Sequence, residues 1–377
     1  MIIAIGIILS LCFAYHPNSD YSYPKRFLLS VFGILLLTYQ ISQTFPFLAL
    51  FATYAMISAC YFATWNYAKH PCTSFPKRNF AFINMMSVQF MDFLILAVVF
   101  LYAPTEILYA TPIAAIVGGV LSFIPIKVMS NYLKRKVPVV GFGANTSVNS
   151  TLMSLLAIAS LISPLPHSFG LIGWAFAGIG AIKTKGSAGV AGLALGSAVY
   201  FAYDYPTYVG IIILIAITLS ILFSKQLGKF FVNKPAGLWK WWPTHAIFHL
   251  SHRDYLWTFA WREVRPLCNK WFGIGFGAFA YLMPAVQINK KEKIMGKSKR
   301  IMTWLHNDFL QTVIEGGIIG GVLLVLMLSE FVYLGYADKW FMAFFACAIV
   351  NLAANFPARL APDSLLLVMS IKYLGAL

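Results

Sequence analysis

The chain has 377 residues, 60% of them hydrophobic and 11% charged, with a formal net charge of +16. With a mean hydropathy of +0.75, this composition excludes an ordinary soluble domain and predicts a polytopic, all-α membrane protein. Nucleic acid is excluded as a partner because the basic residues fall between apolar runs; anionic headgroups or a phosphate-bearing lipid suit such charge instead.

In chain order, apolar runs separated by polar or proline-containing breaks predict about twelve helices, each near the ~20 residues that a crossing needs. They fall near 1–15, 27–44, 46–64, 81–103, 106–129, 147–163, 167–183, 187–203, 207–223, 305–335, 340–355 and 361–376. The first run lacks a basic n-region and a small-x-small cleavage site, so it reads as a span rather than a signal peptide. Prolines such as Pro46, Pro104, Pro166, Pro206 and Pro362 supply the breaks. No repeat is visible, and residues 1–377 read as a single integral membrane domain.

Residues 224–305 differ from the rest. They carry half of the chain's 28 basic residues and seven of its ten tryptophans, which predicts a large loop lying on a membrane surface. Within it, 252–265 reads as an amphipathic helix ending before Pro266. Counting spans places the short basic loops, this large loop and Arg359 on one side. The positive-inside rule assigns that side to the cytoplasm.

Five cysteines without a CxxC give no disulfide framework and no zinc knuckle. His245, His249 and His252 stand at i, i+4 and i+7, which would suit zinc. No HExxH and no acidic ligand accompany them, so no metal or other cofactor is expected. Paired carboxylates for retaining glycoside chemistry are not evident among 12 acidic residues.

The stretch HNDFLQTVIEGGIIGG, His306 to Gly321, joins the basic segment to a strongly apolar helix. On that helix, Gly317, Gly320 and Gly321 lie within about 60° of His306, on its own face, leaving a bare face that another backbone or a lipid chain can approach. Asn307, Gln311 and Glu315 lie on a flank, with Glu315 about 13 Å along the axis. The plain alternative is a glycine-packed membrane helix with an interfacial histidine.

The pattern His306-Asn307, nine residues, then Gly317-x-x-Gly320-Gly321 resembles the signature of the bacterial O-antigen ligase and O-antigen polymerase superfamily. The HRDYLW segment, with Arg253 four residues before Trp257, leads to Gly273, Gly275 and Gly277, and is similar to a second family segment. Lys183 and Lys185 stand where family members show Ser-Arg-Gly; lysine keeps the charge but loses the bidentate fork. Asn145 and Asn149 match a Gly-x-x-x-Asn region loosely. The likeness covers roughly 140–377.

That resemblance implies a GT-C-like fold and an inverting, metal-independent glycosyltransferase. It would move a glycan from an undecaprenyl-diphosphate carrier to an acceptor hydroxyl. His306 would accept or orient the hydroxyl proton, and Arg253 would stabilise charge on the leaving diphosphate. Lys185, Arg265, Lys183, Arg262 and Arg359 are the further cations for the diphosphate, while Asn307, Glu315, Gly317, Gly320, Gly321 and Trp257 support the motif. O-antigen ligase, acting on lipid A–core in lipopolysaccharide biosynthesis, is ranked first. A polymerase and a protein O-oligosaccharyltransferase are the alternatives within the superfamily, and a lipid-linked glycan flippase is the alternative outside it. The implied place is the bacterial inner membrane with the active face periplasmic, against the charge rule. The implied partners are membrane lipids, the lipid-linked donor and the glycan or lipid A–core acceptor.

Overall fold

The computed structural model describes residues 39, 41–61, 100, 102–123, 146–162, 166–184, 186–208, 253–289, 305–355 and 361–376. Ten α-helices lie within them: α1 Pro46–Tyr61, α2 Thr111–Leu121, α3 Thr146–Ala159, α4 His167–Lys183, α5 Ser187–Asp204, α6 Arg253–Phe259, α7 Phe279–Asn289, α8 Asp308–Gly335, α9 Lys339–Ala354 and α10 Ala361–Leu374. Starts follow local chemistry. Pro46, Pro112 and Pro166 precede or open helices, where a missing N–H does no harm. Asp338 caps α9 by accepting from the Phe341 N–H at 2.6 Å.

Among the described residues, α8 is the one helix long and apolar enough to cross a membrane. The expected polytopic, GT-C-like fold of about twelve spans is therefore corrected to an all-α bundle. Most of its helices run for 11 to 18 residues. The run 106–129, for example, divides into a 3-10 turn, Thr105–Ala110, and the eleven-residue α2. Hydropathy alone does not separate a spanning helix from one buried against its neighbours. In α3 that burial is nearly total, with Met153, Leu155, Ala157, Ile158 and Ala159 at zero exposure.

The chain divides into two compact units. One comprises 104–256, 306–308 and 332–377, and is built around α3, which packs against α2, α4, α5, α9 and α10. Its contacts are close because the facing residues are small. A Cβ at Gly192 on α5 would overlap the Asn351 amide on α9, so glycine there is a packing requirement. Buried hydroxyls tie the helix ends together. Ser150 donates to the carbonyls of Ala181 (3.1 Å) and Gly186 (2.9 Å), and Thr111 donates to Ala159 at 3.0 Å. Lys339 pairs with Asp204 at 2.7 Å, joining the start of α9 to the end of α5. That pair is exposed and adds little.

The other unit comprises 1–103, 257–305 and 309–331. Here α8 breaks: Gly317 has φ 63° and ψ −159°, a region open essentially to glycine alone. The break frees backbone groups that the segment 269–275 takes up. Ile274 and Gly275 N–H donate to the carbonyls of Ile314 (3.2 Å) and Glu315 (2.8 Å), while Ile318 and Ile319 N–H donate to Lys270 (3.1 Å) and Trp271 (3.2 Å). Gly273, Gly275 and Gly277 all have positive φ, so the Gly-x-Gly-x-Gly run is the turn that fits into the break. Side chains complete the joint. Fully buried Glu315 accepts from Gln311 Nε2 at 3.1 Å and from the Phe279 N–H at 3.2 Å, capping α7. Tyr54 on α1 donates to the Gly316 carbonyl, and Glu330 accepts from the N–H groups of Phe47 (3.1 Å) and Leu48 (3.0 Å).

The expected helix 252–265 is found as a run of changing pitch. It comprises α6, a π-helical turn Ala260–Val264 and a 3-10 turn Arg265–Leu267. The tightening at its end accommodates Pro266, which has no N–H to continue the helix.

Candidate functional site

His306 lies in the bend before α8 rather than on the helix, which begins at Asp308. The helical arrangement expected for His306 and the glycines is thus absent, and the bare face belongs to the break instead. A Cβ at Gly317 would overlap the backbone of Trp271. His306 has φ 55°, the one positive φ outside glycine among the described residues.

The bend is held on both sides in sequence. Leu305, fully buried, donates its N–H to Gln311 Oε1 at 3.2 Å. Its carbonyl accepts from Trp257 Nε1 at 2.9 Å. Asp308 is buried in the first turn of α8, where a carboxylate favours the helix dipole. Asn307 beside it is half-buried.

The half-buried His306 ring places Nδ1 3.4 Å from Asn355 Oδ1 at the C-terminus of α9. Fully buried Asn355 donates through Nδ2 to Thr151 Oγ1 on α3 at 2.8 Å. One turn further in, Asn351 Nδ2 donates to Ser154 Oγ (3.1 Å) and to the Cys347 carbonyl (2.9 Å). Ser154 in turn donates to the Thr151 carbonyl at 2.7 Å. Burial pushes the Cys347 thiol up to about 12, so it stays protonated and unreactive at neutral pH. Asn149 is also fully buried on α3. The site is thus a neutral, hydrogen-bonded polar seam between α3 and α9, with an imidazole at its end.

The cations expected to gather at the site are otherwise occupied or undescribed. Lys183 is exposed and sits 3.9 Å from the Phe123 ring centroid. Arg262 pairs with its neighbour Glu263 at 2.7 Å. Arg265 lies 5.3 Å from the Trp261 ring centroid. Lys185, Arg359, Asn145 and the three spaced histidines lie outside the described residues, as does the side chain of Arg253. Gly320 and Gly321 lie beyond the break in α8, where a Cβ at Gly320 would approach Tyr54. Among the described residues no group of three or more His, Cys, Asp or Glu side chains is placed to hold a metal.

Sequence reasoning missed Asn355, Asn351, Thr151 and Ser154. A signal was present: two asparagines at i, i+4 in an otherwise apolar helix share one face, and a buried amide needs partners.

No family model matches this chain, and no curated protein matches it. With the short helices of the described bundle, this corrects the likeness to the O-antigen ligase and polymerase superfamily. The glycosyltransferase activity, its alternatives, the lipid and glycan partners and the inner-membrane placement rested on that likeness or on the twelve spans. They are withdrawn with it. Within the His–Asn–Gly pattern, Gly317 serves a backbone break.

Proposed function

We propose that the chain is a ligand-binding protein whose site is the bend 306–308, with His306 as the group that meets the ligand. The supporting observation is the backbone of His306 at φ 55°. A left-handed conformation costs a non-glycine residue about 1–2 kcal/mol, and such strain collects where a side chain has to be presented. Histidine enters this region more readily than most residues, so the imidazole's surroundings also count. The ring is half-buried and reaches Asn355 at 3.4 Å, which suits a group held for contact rather than one left in solvent.

A second reading makes the bend purely structural, a start for α8 held by Gln311 and Trp257. His306→Gly separates the two. It relieves the backbone and is expected to raise stability by about 0.5–1 kcal/mol, while removing the imidazole. Thermal shifts against a panel of small polar metabolites are expected to show ligands that stabilise the wild type and Lys183→Ala but not His306→Gly. A panel that treats the wild type and His306→Gly alike would leave only the structural reading.

A further inference from the structure

We infer that the strip 261–272 is a docking surface for an acidic segment of a partner protein, with Trp271 and Phe272 as its apolar anchors and Arg265 and Lys270 as its cations. The strip lies within the unit that comprises 1–103, 257–305 and 309–331, and the inference does not depend on the reading of His306.

Three aromatic rings of the strip stand about half exposed, Trp261 at 49%, Trp271 at 55% and Phe272 at 49%. A single exposed apolar residue is ordinary; several large rings in one short strip mark a contact surface. The backbone beneath them is fixed. Asn269 and Gly273 exchange hydrogen bonds at 3.2 and 2.8 Å. Asn269 Oδ1 accepts from the N–H groups of Trp271 (2.8 Å) and Phe272 (3.1 Å). The Lys270 and Trp271 carbonyls are held by Ile318 and Ile319 of α8. Cys268 ties this turn to the one before it, donating its N–H to the Arg265 carbonyl (3.0 Å) and its thiol to the Val264 carbonyl (3.1 Å). A partner that meets Trp271 and Phe272 therefore has little backbone freedom to remove, and rigid exposed tryptophan is the usual anchor of an interface.

Charge selects the partner. Lys270 Nζ lies 5.8 Å from the Trp271 ring centroid and the Arg265 guanidinium 5.3 Å from that of Trp261, so each tryptophan has a cation beside it. Against Arg262, Arg265 and Lys270 the strip holds one acid, Glu263, and that one pairs with Arg262. Carboxylates complement this surface, and apolar side chains between them can pack on the rings. A second copy of the chain does not fit, because its net charge is +16 and a two-fold contact sets cations on cations. Single-stranded nucleic acid favours a continuous basic groove with stacking faces. Here exposed Pro266 and Leu267 interrupt the cations with aliphatic surface, which suits a peptide's side chains better than bases.

The test uses the full chain and a fluorescein-labelled peptide in which Glu alternates with Leu and Phe, read by fluorescence anisotropy. The wild type and Lys183→Ala are expected to bind it alike, and more tightly at low salt than at high. Trp271→Ala and Lys270→Glu, both changes of exposed side chains, are each expected to weaken binding about tenfold or more at an unchanged denaturation midpoint. A peptide of equal charge with Ser in place of Leu and Phe is expected to bind severalfold more weakly. No binding by the wild type overturns the inference. Equal binding of the Ser peptide, or an affinity indifferent to Trp271→Ala, reduces it to attraction between opposite charges and overturns it too. Tighter, Trp271-dependent binding of oligouridylate or of phosphatidylglycerol vesicles would replace the protein partner with a nucleic acid or an anionic surface.

Discussion

Gly317→Ala is expected to lower the stability of the protein by about 3–5 kcal/mol, read as a drop in the denaturation midpoint. Two costs combine. At φ 63° and ψ −159° alanine enters a region closed to L side chains. Its Cβ would also overlap the Trp271 carbonyl, which is backbone and cannot swing away. Gly273→Ala meets the reciprocal clash with the Glu315 carbonyl at φ 70°, and should cost a similar amount. Because both changes break one joint, the double variant is expected to cost clearly less than the sum. An unchanged midpoint for Gly317→Ala would show that the joint does not form.

The second large effect belongs to Asp363 in the first turn of α10. Its carboxyl is at zero exposure, and among the described residues neither oxygen meets a hydrogen-bond partner from another residue. Burial pushes it up to about 8, partly offset by its own backbone N–H. The sign follows from proton counting. Below the ordinary carboxylate value of 3.8 both native and unfolded states hold the proton, and the group is neutral to stability. Between there and about 8 the unfolded chain has released a proton that the native state keeps, so stability falls as the pH rises. The loss approaches about 5 kcal/mol by pH 9. Asp363→Asn is expected to flatten that slope, matching the wild type near pH 4 and exceeding it at pH 9. Parallel slopes for the two proteins from pH 4 to 9 would place a charged, solvated carboxylate at this position.

The helices were readable where local chemistry marks both ends. Expected runs at 167–183 and 187–203 are found as His167–Lys183 and Ser187–Asp204, because Pro166 and the Lys185-Gly186 pair punctuate them. What those helices do was not readable. A Gly- and Ala-rich apolar helix looks the same to a hydropathy window whether it faces lipid or packs on α3. The break at Gly317 was missed because GGIIGG is compatible with a straight, closely packed helix. Its bend needs the backbone of 269–275, some 45 residues earlier, and no local pattern announces that pairing. His306 was singled out for its chemistry, yet its conformation and its partner Asn355 are long-range results. Thr151 lies 204 residues from Asn355 in the chain, so only the packing of α3 on α9 brings the pair together.

The joint in α8 also shapes how the protein breathes. Two N–H groups of the 269–275 segment and two of the helix are sealed by each other's carbonyls, so none can meet water while the others stay closed. Amide exchange at Ile274, Gly275, Ile318 and Ile319 should therefore report one shared opening free energy. Frayed helix ends exchange in a graded series instead. The last residues of α8 should follow that graded pattern. The middle of the longest helix would then be a cooperative latch, opening as a unit while the turns on either side stay wound.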